Sequence, residues 1–519
     1  MVEGNGEVRE LPKGWDWVKL GDVCQEIETK KPELEPEWEF QYIDIASIDN
    51  VIKKIASPKT YLGKDSPSRA RQVVRTNDIV FSTVRTYLMN IAMVPEILDD
   101  QIASTGFCVI RAADKIIPKY IFYFSISHGF INQLNELQRG TSYPAVRDRD
   151  IFAQPFPLCS TKEQERIVEK IEELFSDVDQ GVESLKMAQK QLKVYRQAVL
   201  KWAFEGKLTE AWRSQQPTLK TGEALLAQIK AERENRYQKR LAEWEEKVRE
   251  WGAIGKAGKK PTKPQTPKEP SSLTKAELVE LPKLPEGWCW AKVGLILLIP
   301  PSNGHSVKDR KGGFKVLRLT AIRNGLIDIR KSKEGDWDEE DAHPYIVQPG
   351  DFLLARGNGS INLVGAGGLV SEKSDVAYPD TMIKLIIDKS IFISKLFALL
   401  WNSAYFRKQI EKSVRTTAGI YKINQNHINN FLVPLTPINE QGQIAEEIES
   451  RLSICDQLEA TIIENLQKAE ALRQSILKQA FEGKLVPQDP NDEPAEKLLE
   501  RIRAERQEKE SQKTSKPLR

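Results

Sequence analysis

Cysteine and histidine are scarce in these 519 residues, with five of the first and four of the second. Cys24, Cys108, Cys159, Cys289 and Cys455 are scattered, odd in number and never spaced as CxxC. That spacing argues against a disulfide framework or a zinc site and for a reducing, cytoplasmic setting. His128, His305, His343 and His427 are isolated, without metal-ligand spacing. No run reaches the ~18 apolar residues that a membrane span needs. The start, "MVEGNGEVRELPKGW", has no apolar stretch of a secretory signal.

Catalytic signatures are missing too. There is no strand–GxGxxG–helix unit, no GxxxxGKS/T phosphate loop and no GxSxG nucleophile turn. "RGNGSINLVGAGGLV" (Arg356–Val370) is glycine-rich but lacks a Lys-Ser/Thr ending and a following helix, so it reads as a loop between strands. "YPDTMIK" (Tyr378–Lys384) lacks the intervening Glu of a nuclease carboxylate–Lys pattern. The chain reads as non-catalytic, with no catalytic residue, metal or cofactor of its own.

What is present is a globular composition, 40% hydrophobic and 29% charged, long enough to bury a sizeable core. The net charge of +3 says little, but its distribution is uneven. Val51–Tyr87 holds eight Lys/Arg against two Asp, and Asn303–Lys333 holds nine against two. Thr161–Met187 reverses the sign, with eight acidic and four basic residues. Two basic zones placed alike in two halves of a chain point towards nucleic acid.

The halves are copies. "RQAVLKWAFEGKL" (Arg196–Leu208) returns in the second half as "RQSILKQAFEGKL" (Arg473–Leu485), identical at ten of thirteen positions. "LPKGWDWVKLG" (Leu11–Gly21) answers "LPEGWCWAKVG" (Leu284–Gly294), and Asp78 before "IVFSTVR" answers Asp351 before "FLLARGN". "FPLCSTKEQERI" (Phe156–Ile167) answers "VPLTPINEQGQI" (Val433–Ile444), and "ALLAQIKAER" (Ala224–Arg233) answers "KLLERIRAER" (Lys497–Arg506). Each half thus carries a GW opening, about 140 residues of mixed strand and helix pattern, a long helix and a charged helical tail.

In the first long helix, Ser160 and Glu163 suggest a capping box. Ile171, Val178, Leu185, Leu192 and Val199 recur every seventh residue, beside Ile167, Leu174, Gly181, Ala188, Tyr195 and Trp202. That is a coiled-coil pattern, with Gly181 and Ala188 expected to admit a close partner. The second helix offers Ile448, Cys455, Ile462, Ala469 and Ile476, with Leu452, Leu458, Leu466 and Leu472 beside them. The two helices are expected to pair antiparallel, with the mixed domains at opposite ends. A helix of about 44 residues is ~65 Å long, against ~34 Å for one turn of B-DNA.

Taken in order, these features resemble a specificity subunit of a type I restriction–modification enzyme. The resemblance rests on the "LP.GW" openings, the "EQ..I" helix starts and the "AFEGKL" ends. "RGTSYPAVRDRDI", "RGNGS", "YPDTMIK" and "RTTAGIYKIN" add to it, so that it covers nearly the whole chain. It implies an α+β fold: two tandem-duplicated target-recognition domains separated by two long helices forming an antiparallel coiled coil. The expected boundaries are 1–159 and 284–437 for the two domains and 160–251 for the central repeat with its spacer and charged helices. A Lys/Pro-rich linker is expected at 252–283, the C-terminal spacer helix at 438–485 and a charged tail at 486–519. The implied partners are double-stranded DNA, two copies of a methyltransferase subunit and a restriction/translocase subunit, with no membrane. S-adenosylmethionine, ATP and Mg would sit on those partners.

Base readout needs polar side chains on loops, and phosphate contacts need Lys or Arg. The expected readers in the first domain are Arg85, Thr86 and Tyr87, with Thr141, Ser142, Tyr143 and Arg147. Their counterparts are Arg356, Asn358, Ser360 and Asn362, then Thr417, Tyr421, Lys422 and Asn424. Arg69, Arg71, Lys308 and Arg310 suit phosphate. Gly206 and Gly483 are expected helix C-caps, and with Phe204 and Phe481 they mark candidate partner-docking surfaces. The rival readings are a coiled-coil scaffold that binds only proteins and a nuclease acting alone.

Overall fold

The repeated motifs meet in space as partners. A computed structural model describes residues 10–216, 220–253, 281–417 and 419–514, with residues 255, 258, 260–264, 266, 273 and 274 between. Most of the expected linker, and residues 1–9 of the start, lie outside the described residues. The chain forms two units: Met1–Met187 with Ile462–Arg519, and Ala188–Thr461. Each long helix gives one half to each unit.

In the first unit an antiparallel ribbon joins Asp16–Lys19 to Pro155–Leu158, bringing the domain's start to its end. Between them lie two four-stranded sheets. One orders Lys59–Leu62, Glu39–Ile43, Gln101–Ser104 and Ala70–Val74. The other orders Cys24–Gln25, Phe107–Ala112, Ile79–Ser82 and Ile91–Met93. Ile79–Ser82 is buried at every position, which is why it reads as a continuous apolar run rather than an alternation. The second unit repeats the ribbon as Cys289–Lys292 with Leu432–Leu435. Its main sheet has six strands, centred on Asp351–Ala355 between Met382–Ile386 and Gly367–Leu369. After the sheets each unit has a pair of helices, Pro118–Ser125 with His128–Glu136 and Ser394–Trp401 with Ala404–Ser413. Ser127 and Ser403 cap the second helix of each pair.

Both long helices span 44 residues, Thr161–Phe204 and Ile438–Phe481. In the second unit Thr209 bonds Glu440 while Arg196 bonds Asp456, so the helices run antiparallel. Their ends close the cores. In the first unit Phe481 packs on Tyr120 and Phe124, each with centroids 5.2 Å away. In the second, Phe204 packs on Tyr405 at 4.8 Å.

Gly206 and Gly483 have φ of +68° and +66°. The N–H groups of Lys207 and Lys484 reach back to the carbonyls of Trp202 and Gln479, completing the expected helix C-caps. A Cβ on Gly206 would lie 2.3 Å from Pro285, and one on Gly483 2.3 Å from Pro12. Those prolines open the LP.GW turns, closed by Trp15 N–H to Pro12 O at 3.1 Å and Trp288 N–H to Pro285 O at 3.2 Å. The two repeated motifs are therefore the two sides of one contact, made once in each unit.

The helix starts are also built alike. Gln164 accepts from Ile117 N–H and donates to Cys159 O, both at 3.0 Å. Gln441 accepts from Ile393 N–H at 2.8 Å and donates to the carbonyls of Ile391 and Thr436 at 2.9 Å. The neighbouring glutamates diverge. Glu440 accepts from Thr209 at 2.7 Å and from the Trp288 indole at 2.8 Å, with Arg213 3.5 Å away. Glu163 Oε1 and Trp15 Nε1 are buried without a well-formed hydrogen bond among the described residues. Ser160 does accept from Glu163 N–H at 3.0 Å, so the capping box is half formed.

Four expectations for the seams need correction, the first being Tyr195, which is 37% exposed. Gly181 is exposed, with nothing within 4 Å of a Cβ built on it, so it admits no close helix. Leu458 and Leu472 face solvent. The helix face they were expected to share instead carries charge that pairs across the helices. Arg196 meets Asp456 at 2.6 Å and Glu459 at 3.0 Å, while Arg473 meets Asp179. Arg473 and Asp456 are the second-half counterparts of Arg196 and Asp179, in the alignment that superposes the two AFEGKL ends. The same pair is thus made in each unit.

Gly483→Ala is expected to lower the unfolding free energy, read from a urea titration, by at least ~1–2 kcal/mol, since it forces a Cβ into left-handed backbone against Pro12. Gly181→Ala is expected to gain up to ~1 kcal/mol, as an exposed mid-helix replacement. Burial raises the Glu163 carboxyl above its ordinary range, opposed by the Trp15 indole and Arg166. A raised carboxyl favours the protonated fold, so its cost is present above the folded pKa and fades as pH falls through it. Glu163→Gln should therefore stabilise the protein near pH 7 and lose that advantage in acid. Urea titrations across pH would show whether it does.

Candidate nucleic-acid interface

In the first unit the buried strand Ile79–Ser82 runs outward and delivers Arg85 at its end. Val84 bridges Ala145, and Arg85 N–H donates to Pro144 O at 2.8 Å, so the two loops expected to read DNA lie side by side. Arg85 takes φ +50°, and its guanidinium donates to Ser142 O at 3.2 Å and lies 5.0 Å over the Tyr143 ring. Tyr143 is 72% exposed, and Tyr87, Thr141, Ser142 and Arg147 are also exposed. Arg147 stands at the N-cap of Asp148–Phe152.

Thr86 departs from expectation. It is 1% exposed, donates to Asn135 Oδ1 at 2.6 Å and accepts from Gln138, so its hydroxyl holds the loop and faces no ligand. Of the residues expected at phosphate, Arg69 is exposed. Arg71 is paired with Glu33 at 2.9 Å, and Arg310 with Asp336 at 2.8 Å. Lys308 is exposed.

The second unit repeats the arrangement more regularly. Gly357–Asn358 pairs antiparallel with Ile420–Lys422, which pairs in turn with Arg415–Thr417. The "RGNGS" and "RTTAGIYKIN" segments are thus neighbours in one three-stranded sheet. Arg356 donates to Asp380 O at 3.4 Å, and Asn358 Oδ1 accepts from Ser360 N–H at 3.0 Å. Ser360, Asn362 and Lys422 are exposed, and Tyr421 is half-buried. Asn424 caps Gln425–Asn430 by accepting from His427 N–H at 2.9 Å. Thr417 lies in the strand, and its side chain is outside the described residues. Phe204 and Phe481 are buried in the chain's own cores.

One element went unread in the sequence. The hairpin formed by Ile48–Asp49 and Lys54–Ile55 is tied to the Arg85 loop. Asn50 Nδ2 donates to Leu88 O at 3.0 Å, and Lys53 Nζ donates to Met89 O at 2.8 Å. Burial draws the Lys53 amine down to about 8, with Glu470 and Asp49 opposing. The available signal was a pair of β-branched apolar residues, Val51 and Ile52, where a turn was due. Among the described residues no group of three His, Cys, Asp or Glu could hold a metal, and no helix is long and apolar enough to cross a membrane.

Each copy of the duplicated α+β domain thus presents a loop pair at the end of a buried strand. Residues 12–185 match the type I restriction modification DNA specificity domain. The chain is 25% identical over 414 residues to the type I restriction enzyme EcoKI specificity subunit of Escherichia coli K12, spanning 77% of this chain and 75% of that one. It is 25% identical over 422 residues to the StySPI specificity subunit of Salmonella potsdam, spanning 79% and 76%. Among solved structures, the HsdS subunit from Thermoanaerobacter tengcongensis is 26% identical with a TM-score of 0.52, over 92% of this chain and 98% of that one. A chain from a structure concerning assembly and conformational transition of the type I R-M system is 27% identical with a TM-score of 0.65, over 92% and 99%. Over most of its length the chain is thus similar to type I restriction–modification specificity subunits, and residues 12–185 match their DNA specificity domain.

Thr86→Val is expected to cost ~1–3 kcal/mol by leaving Asn135 and Gln138 short of a partner. It should speed amide exchange through residues 139–146. Tyr87→Ala, at an exposed position, is expected to stay within about 0.5 kcal/mol.

Proposed function

We propose that this chain reads a bipartite duplex-DNA target, one half-site per unit, with a gap set by the long helices. It would dock two methyltransferase subunits and a restriction/translocase subunit, and catalyse nothing itself. S-adenosylmethionine, ATP and Mg would belong to those partners. The observation that carries the reading is the loop pair repeated in each unit, Arg85 beside Tyr143 and Asn358 beside Tyr421. Arg85 and Asn358 occupy matching positions when the halves are aligned on Asp78 and Asp351, each after an equivalent strand. A guanidinium suits guanine O6 and N7, and an amide suits adenine N6 and N7, so the two half-sites should differ.

Two copies of one partner need two equivalent surfaces. Tyr195 and Leu472 each stand immediately before a repeated "RQ" motif, are both exposed apolar positions on the long helices, and supply such a pair. The helix ends are then a shared internal foundation, with the docking face on the outer side of the same helices.

Co-expression with the methyltransferase subunit, followed by selection from a random duplex pool, tests the reading. Two short motifs at a constant gap are expected. No enrichment from a well-folded complex would overturn it in favour of a protein-only scaffold. In the same assay Arg85→Ala should relax one half-site only, by ~1–3 kcal/mol. Arg69→Ala should weaken all sequences alike and reduce the salt slope by about one.

A further inference from the structure

The hairpin that adjoins the Arg85 loop has a counterpart in the second unit. Each follows a 3-10 turn, Ile45–Ser47 in one case and Leu319–Ala321 in the other. In the second unit Arg323 pairs with Leu326, and the turn between them is Asn324–Gly325. Both residues have positive φ, +49° and +76°, as a two-residue hairpin turn requires. In the first unit Asp49 pairs with Lys54, so the turn is Asn50–Lys53, two residues longer. Its tip is Val51 and Ile52, 82% and 58% exposed.

Turn chemistry does not call for β-branched apolar residues at a tip, and leaving them in water forgoes their burial. The tip is nevertheless held in place. Asp49 Oδ1 accepts from the N–H groups of Val51 at 2.9 Å and Ile52 at 3.2 Å. The Asn50 and Lys53 side chains fasten it to Leu88 O and Met89 O, just past Arg85 in the chain. Lys53 itself takes φ +54°, an uncommon conformation for a residue with a side chain. Tyr87 and Leu88, beside this attachment, are exposed as well. A fixed apolar tip is thus fastened beside the loop that carries the candidate base reader.

The surroundings indicate what covers it. The tip is followed by Lys53, Lys54 and Lys59. Asp49 is taken up by the tip's own N–H groups, Glu470 acts on Lys53 and Asp44 pairs with Lys59. That leaves exposed Lys54 as the nearest open charge, a setting that suits a polyanion better than an apolar protein face. The apolar group that duplex DNA offers in its major groove is the thymine C5-methyl. We infer that Val51 and Ile52 contact thymine methyl groups in the half-site read by the first unit, an inference that rests on the DNA-reading function proposed above.

The test uses the full chain in complex with its methyltransferase subunit and the duplex recovered by selection. Each thymine of the target is replaced in turn by uracil, which removes the methyl and keeps the base-pairing edge. Wild type should lose about fourfold in affinity per contacted methyl. The Val51→Ala/Ile52→Ala variant should bind the thymine duplex that much more weakly and no longer distinguish uracil in one half-site. The response to uracil in the other half-site should be the same in variant and wild type and serve as the internal control. A second variant, with Asn50–Lys53 replaced by Asn-Gly as in the other unit, should behave the same while keeping a closed hairpin. Unchanged uracil discrimination in both variants would overturn the inference, as would a target with no thymine in the half-site that Arg85→Ala relaxes. Lost co-purification of the methyltransferase with discrimination intact would overturn it in favour of a subunit contact. Failure of the selection itself would instead refute the DNA-reading function.

Discussion

A glycine in left-handed backbone, pressed against the proline of an LP.GW turn, holds each unit together. Gly483 meets Pro12 and Gly206 meets Pro285, with no room for a methyl group in either place. The consequences run outward from that contact. It fixes the end of a long helix against the start of a mixed domain. The domain's start is zipped to its end by the ribbon of Asp16–Lys19 with Pro155–Leu158, or of Cys289–Lys292 with Leu432–Leu435. That end leads into the other long helix, whose first turn is anchored by a buried glutamine, Gln164 or Gln441. The segments that stayed alike between the halves are those that close this circuit, and the sheet edges and loops outside it were free to diverge.

The long helices illustrate how small energies can still specify structure. Arg196 with Asp456 and Arg473 with Asp179 are partly exposed ion pairs, worth no more than about 1 kcal/mol each. Their value lies in register. A slip of either helix by one residue separates both pairs at once, whereas an apolar seam of Ile448, Cys455 and Ile462 tolerates some sliding. The apolar positions supply the attraction and the arginines choose the alignment.

Much of this was legible in the sequence, for reasons that can be named. The duplication, the helix lengths and the glycine caps are local patterns, and local patterns survive being read in one dimension. The seam partners were misjudged because a seven-residue period locates a helix face without saying which leucine on its flank meets the partner helix and which faces water. Thr86 was misjudged for a related reason. Nothing local distinguishes a hydroxyl offered to a ligand from one consumed by Asn135, 49 residues away. The Arg85 and Tyr143 loops were each recognisable, but their meeting depends on a bridge between Val84 and Ala145 that only folding creates. That the cap of one half would dock on the turn of the other lay equally beyond a linear reading.

The route of the chain makes synthesis asymmetric. The second unit finds Val199–Phe204 already made when its mixed domain emerges from the ribosome. The first unit must wait for Phe481, the ring that covers Tyr120 and Phe124, which is translated only after the whole of the second mixed domain. At about 5–20 residues per second, the stretch from Phe156 to Phe481 imposes a delay of roughly 15–65 s. During this interval the nascent first domain carries an aromatic face open to water. The early part of this protein is thus a natural client for chaperones, and a truncated message would release a product that is sticky as well as incomplete.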